Sequence, residues 1–151
     1  MKTYSAKKED IKRNWNLVDA KGQILGRMAS SIAQLLIGKN KVYFSPNLDC
    51  GDWVVVVNAA DIQLTGRKEN QKKYQWHTGY PGGFRELTFK QMKDRDPAKI
   101  VRLAVSGMLP KNKLRAKRLV RLKIYAGEEH KYEDKFKTRK TKSETNTSIK
   151  K

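Results

Sequence analysis

Apolar and polar positions follow two different rhythms along this chain. Trp15, Leu17 and Val18, set among Asn14, Asn16 and Asp19, form a short, loosely alternating strand pattern, and Asp19-Ala20-Lys21-Gly22 reads as a turn. From Gly26 the residues Met28, Ala29, Ile32, Ala33, Leu35 and Leu36 recur at helical spacing until Gly38, a residue suited to the position just past a helix end. After Pro46 and Gly51, the run Trp53-Val54-Val55-Val56-Val57 is β-branched and apolar on both faces. That is the composition of a parallel strand covered by helices on each side. Ile62 and Leu64, closed off by Gly66, fit either a short strand or an extended loop.

Asp96-Pro97 is a helix start, because Asp accepts from exposed backbone amides and Pro is tolerated at the first helical position. Ile100, Val101, Ala104, Val105 and Met108 then make one apolar stripe, which Gly107 weakens and Pro110 stops. A very basic helical stretch near Leu114 to Leu119 follows, and Leu122, Ile124 and Tyr125 form a last strand before Gly127. Strands alternating with helices predict an α/β sandwich with a mostly parallel sheet. Three parts are expected: a basic N-terminal segment (1–13), an α/β domain (14–134) and a basic low-complexity tail (135–151). The tail, almost devoid of apolar residues, cannot offset its ordering entropy and is expected to be disordered when alone.

Charge changes the picture. Among 151 residues, 34 Lys and Arg face 15 Asp and Glu, a formal net charge of +19. This exceeds what solubility requires and opposes compaction through self-repulsion, so an anionic partner is expected. No apolar stretch approaches the roughly 20 residues of a spanning helix, and the first ten residues lack the apolar core of a secretory signal. A soluble, unexported, cytoplasmic protein is the expectation, with no membrane partner and no small-molecule substrate. The single cysteine, Cys50, permits no internal disulfide and no thiolate metal cluster, and is expected to be structural.

The placement of charge selects nucleic acid. Pro97 to Gly127 contains no Asp or Glu, and within it Lys111, Lys113, Arg115, Lys117, Arg118, Arg121 and Lys123 crowd behind Pro110, with Asn112 among them. Like charges at neighbouring turns repel, and a polyanion removes that repulsion. Phosphate binding is expected here, with a solvated basic face as the alternative. A second candidate combines Arg67, Lys68, Lys72, Lys73 and Arg85 with Tyr74, Trp76, His77 and Tyr80. Aromatic faces stack on unpaired bases while cations hold the backbone. Gly79, Gly82 and Gly83 would let the main chain approach a sugar-phosphate strand; equally, they would make a tight turn, and the aromatics would be core. Lys39 and Lys41, after Gly38, serve RNA contact or the negative end of a helix dipole equally well.

Enzyme readings do poorly. His77 and His130 have no zinc-type spacing, there is no Gly-x-Ser-x-Gly or Walker-type loop, and Gly22 with Gly26 lacks the G-x-G-x-x-G spacing of a dinucleotide fingerprint. Asp49, Asp52 and Asp61 lie near the central strand as conceivable metal ligands, but such residues more often cap or turn the chain. No cofactor, metal or catalytic group is expected.

Taken in order, several blocks resemble the bacterial form of the large-subunit ribosomal protein L13 family. They are Trp15 to Gly22 with Leu25-Gly26-Arg27, Gly38-Lys39 with Asp49-Cys50-Gly51-Asp52, Val57-Asn58-Ala59 with Leu64-Thr65-Gly66, His77 to Gly83, and Val105 to Asn112. The resemblance implies a three-layer α/β/α fold around a four-stranded parallel sheet, no catalysis, and a place in the large ribosomal subunit as an early-binding assembly protein on its rRNA, beside other ribosomal proteins. It also implies that Lys111, Asn112, Arg118 and their neighbours face rRNA. The chain departs from the family where Leu114-Arg115-Ala116 replaces the usual Leu-Gly-Arg and where His130-Lys131-Tyr132 replaces a His-Pro-containing end. The residues alone also permit a regulator that binds a messenger, or a small nucleic-acid-modifying enzyme built around paired carboxylates.

Overall fold

A computed structural model describes residues 6–136. The elements run β1 (Trp15–Asp19), α1 (Leu25–Ile37), β2 (Trp53–Val57), α2 (Lys68–Gln71), β3 (Lys73–His77), β4 (Phe84–Thr88), α3 (Phe89–Arg95), α4 (Pro97–Met108), α5 (Leu114–Val120) and β5 (Leu122–Ile124). The valine run forms the centre of the sheet: β2 pairs in parallel with β1 (Trp15 opposite Trp53) and with β5 (Val54 opposite Leu122).

Because side chains alternate across a strand, β2 serves two faces. Val54 and Val56 join Met28, Ala29, Ile32 and Leu36 of α1 and Ile100, Val101 and Val105 of α4 in one core. On the other face Trp15 stacks on Trp53 at 4.9 Å between ring centroids, and Tyr132 and Phe136 close over Trp15. Full burial of each large aliphatic side chain contributes about 2 kcal/mol. The helix signals read from the sequence are the ones in use: Gly38 ends α1 in the left-handed conformation, and Asp96 caps α4 by accepting from the Lys99 amide with Pro97 at the first position. Met108, expected on the apolar stripe, is exposed, and Leu109, where the helix has ended, is buried in its stead.

The class is α/β as expected, but the parallel sheet has three strands in the order β1-β2-β5 and not four. The fourth strand shrinks to a single parallel bridge between Ile24 and Gln63, because polar Gln63 and Thr65 offer no apolar run and Gly66 then turns the chain at positive φ. The sequence pattern also did not indicate that β3 and β4 form an antiparallel hairpin of their own, with Lys73 opposite Thr88 and His77 opposite Phe84. The N-terminal residues 1–5 and most of the expected tail, 137–151, lie outside the described residues.

One crossing is tight. The loop after α1 returns over that helix so closely that a Cβ on Gly51 would stand 1.8 Å from the Leu36 carbonyl oxygen. Gly107, inside α4, has nothing within 4 Å of its would-be Cβ. Gly51→Ala is therefore expected to cost about 3 kcal/mol through overpacking against backbone. Gly107→Ala should stabilise by about 0.5 to 1 kcal/mol, since alanine is the better helix residue. Urea midpoints of the two variants, moving in opposite directions from the parent, check this.

Candidate nucleic-acid interface

The basic segment after Pro110 divides by residue type. Lys111, Asn112, Lys113 and Lys117 are exposed on and before α5. The arginines turn inward. Arg115 donates to the Ser106 hydroxyl at 2.6 Å. Arg118 and Arg121 retain only 1 % and 5 % of their surface and share the carboxylate of Asp49. Arg121 donates from Nη1 and, at 2.7 Å, from Nη2 to Asp49, and also from Nη2 to the Leu36 carbonyl at 3.2 Å. Arg118 and Arg121, expected on the basic surface, are thus parts of the interior, because a buried carboxylate and two buried guanidiniums need one another.

The signal was present in the spacing. Arg115 and Arg118, three residues apart on α5, are neighbours on the helix surface and Arg121 follows at its end, whereas Lys113 and Lys117 are exposed. Counting charge without assigning faces merged the two. Their partner lies far away in sequence: Asp49 is the counterion of both Arg118 and Arg121. Asp52 accepts from the Lys41 ammonium and from the Asn14 amide, at 2.6 and 2.8 Å. Lys41, which also donates to the Lys12 carbonyl, is therefore committed internally, and Lys39 remains exposed. Among the described residues no group of three or more His, Cys, Asp or Glu could hold a metal ion.

The second basic segment is the β3–β4 hairpin and its approach. Arg67, Lys68, Lys72, Trp76, His77, Tyr80 and Arg85 are all exposed, while Tyr74 packs partly against the core. Lys73 forms an ion pair with Glu86 across the hairpin at 2.7 Å, and this contact with Gln75 holds the Glu86 carboxyl below its usual pKa. His77 accepts from the Gly79 amide through Nδ1, so it helps shape the loop. Gly79 and Gly82 adopt positive φ, and a Cβ on Gly83 would collide with the Thr78 hydroxyl. The glycines do make a turn, the plainer of the two readings, and the turn projects Tyr80 into solvent.

These features define a small, strongly basic α/β domain that buries Arg118 and Arg121 and offers lysines, further arginines, aromatics and a glycine-rich hairpin outward; no described helix is long and apolar enough to cross a membrane. Comparison with known proteins gives the family. The model of the family described as "Ribosomal protein L13" matches residues 13–131. The large ribosomal subunit protein uL13 of Dictyoglomus thermophilum is 57% identical over 130 residues, covering 86% of this chain and 92% of the relative. Those of Aquifex aeolicus and Clostridioides difficile are each 53% identical over 130 residues, covering 86% of this chain and 90% and 91% of the relatives. This chain belongs to the ribosomal protein L13 family, whose members are structural and not enzymatic components.

The buried ion cluster makes its own prediction. Burial pushes the Asp49 carboxyl up, but the hydrogen bond and charge of Arg121, with Arg118 and Arg13 behind, outweigh it and hold it below the usual carboxylate value. A depressed folded pKa contributes stability that is present above the unfolded value and lost as pH falls through the folded one. Asp49→Asn, which strands two buried cations, should therefore cost about 3 to 5 kcal/mol at neutral pH. The difference from the parent should begin to narrow below about pH 4, where the unfolded chain's carboxylate protonates, and close as pH falls through the lower pKa of the folded one. Urea denaturation at several pH values measures both.

Proposed function

We propose that this chain is a structural constituent of the large ribosomal subunit that binds large-subunit rRNA and takes part in early subunit assembly. Membership of the family carries the coarse part: the chain works in the cytoplasm, in the ribosome, and turns nothing over. The observation that best supports RNA binding is the separation of charge. Arg118 and Arg121 are held inside by Asp49, while Lys111, Lys113 and Lys117 project from a segment, Pro97 to Gly127, that contains no Asp or Glu.

The mechanism is electrostatic and positional. Lysines neutralise phosphates where RNA strands pack closely, and each neutralised phosphate releases condensed counterions. Lys39, Arg67, Lys68, Lys72, Arg85 and the hairpin loop at Gly79, Gly82 and Gly83 extend the same basic surface, with His77 and Tyr80 presented for contact with sugar or base. Arg115, Arg118 and Arg121 support this surface from beneath, and Lys41, Lys73 and Tyr74 are tied into the fold. Neighbouring ribosomal proteins are further partners, for which exposed Val42 and Val120 are available.

Sedimentation of cell extract at moderate and high salt tests the reading: the protein should travel with the large subunit and resist a high-salt wash. Release at modest salt, with tight binding to one messenger hairpin, would favour a regulator outside the ribosome. On purified rRNA, Lys111→Glu, Lys113→Glu and Lys117→Glu should each weaken binding. Each should also lower the slope of log affinity against log salt by about 0.7 to 0.9 per lost contact. Their stability should change by less than about 0.5 kcal/mol, because the side chains are exposed. Unchanged affinity in all three would make the lysine row a merely solvated face.

A further inference from the structure

The hairpin and α4 enclose a cleft that the phosphate contacts above do not use. Tyr74 and Trp76, two residues apart on β3, share the strand face that looks toward α3 and α4. With Met92, Lys99 and Leu103 they line a depression of about 300 Å³, near the lower end for small-ligand sites. An adjoining depression of about 280 Å³ shares Trp76, Met92 and Lys99 and adds Arg95.

Four properties of this cleft point one way. Its apolar floor is left open: Trp76 keeps 38 % of its surface and Leu103 43 %. The Tyr74 ring adds a second aromatic surface to the lining, its hydroxyl turned inward where solvent does not reach. The Lys99 ammonium stands 5.6 Å from the Trp76 ring centroid, a cation resting on an otherwise unoccupied aromatic face. Arg95 adds positive charge at the edge, while Lys73 is paired with Glu86 and Asp96 caps α4 by accepting from the Lys99 amide.

We propose that one unpaired base of the bound RNA enters this cleft and stacks on Trp76 above the Tyr74 ring and Leu103, while Lys99 leaves the indole for the adjoining phosphate. The proposal rests on the rRNA-binding reading and gives it a specific contact. A nucleotide meets both requirements: a planar ring for the indole and a phosphate for the displaced ammonium. An exposed cation–aromatic contact is weaker than base stacking, so the exchange is favourable. A compact depression with a cationic edge suits a single base better than an apolar peptide, which would place uncharged backbone beside these cations.

The test uses the full chain and transcribed large-subunit rRNA. Zero-length ultraviolet crosslinking, mapped by mass spectrometry, should join Trp76 or Tyr74 to one nucleotide. Trp76→Ala should weaken binding about tenfold without changing the salt slope, since stacking releases no counterion, and Trp76→Phe should recover most of it. Leu103→Glu, an exposed change on a different element, should reproduce the loss. Lys99→Gln should instead lower the slope by about one contact. If the parent binds but Trp76→Ala and Leu103→Glu bind equally well and crosslinks map elsewhere, the cleft is not a base site although rRNA binding stands. Should Trp76→Ala bind naked rRNA normally and be lost only from assembled subunits, a protein neighbour fills the cleft and the proposal is overturned. A parent that binds no rRNA overturns the functional reading itself.

Discussion

Most of this fold converges on one guanidinium. Arg121 lies between α5 and β5, yet its donors reach the Asp49 carboxylate, the Leu36 carbonyl at the end of α1 and the Asp52 carbonyl at the start of β2. One planar fork thereby fixes the end of a helix, the loop crossing it, and the relation of the central strand to an edge strand. An ammonium could not do this, having neither the rigid geometry nor the number of directed donors. The crossing has no slack, since a Cβ on Gly51 would approach both the Leu36 carbonyl and Arg121 Nη2, the latter at 2.9 Å.

That arrangement carries a cost. Two buried arginines share one carboxylate, and the Arg118 Nε finds no hydrogen-bond acceptor. Asp49 and Asp52, two of the 15 acidic residues, are bound to interior cations. These two carboxylates are matched by three cations, Lys41, Arg118 and Arg121, so nearly all of the net charge of +19 lies elsewhere on the chain, where an anionic partner would relieve self-repulsion.

How much of this could be read from the sequence depended on whether a signal was local. The valine run, the helical spacing of Met28 to Leu36, and Asp96-Pro97 each announce an element without reference to anything distant, and β2, α1 and α4 occur where they should. The fourth strand failed because Ile62 and Leu64 are two apolar positions without a continuing run. The hairpin was concealed by its composition: Lys73-Tyr74-Gln75-Trp76-His77 does alternate, but read as cations interleaved with aromatics it suggested a ligand before it suggested a strand. The arginines were misplaced for the opposite reason. Their roles depend on Asp49, about 70 residues away in sequence and adjacent only after folding, so the period of three was the sole local trace of their burial.

The hairpin shows how a fold can present a contact without relying on flexibility. Among the described residues β3 and β4 pair only with each other, and an isolated two-stranded hairpin is marginal in water. This one is secured at its base: the Phe89 amide donates to the Lys72 carbonyl at 2.9 Å, Thr88 and Gln91 cap α3 reciprocally, and Tyr74 and Leu87 pack onto the core. Its tip is shaped by Thr78, Gly82 and Gly83 and left bare of protein contacts that would shield Tyr80. A loop ordered before its partner arrives loses less conformational freedom on binding than one that must order in the encounter. The glycines thus contribute even if no backbone of theirs touches RNA, because the turn they permit fixes where the aromatic and cationic residues of the hairpin stand.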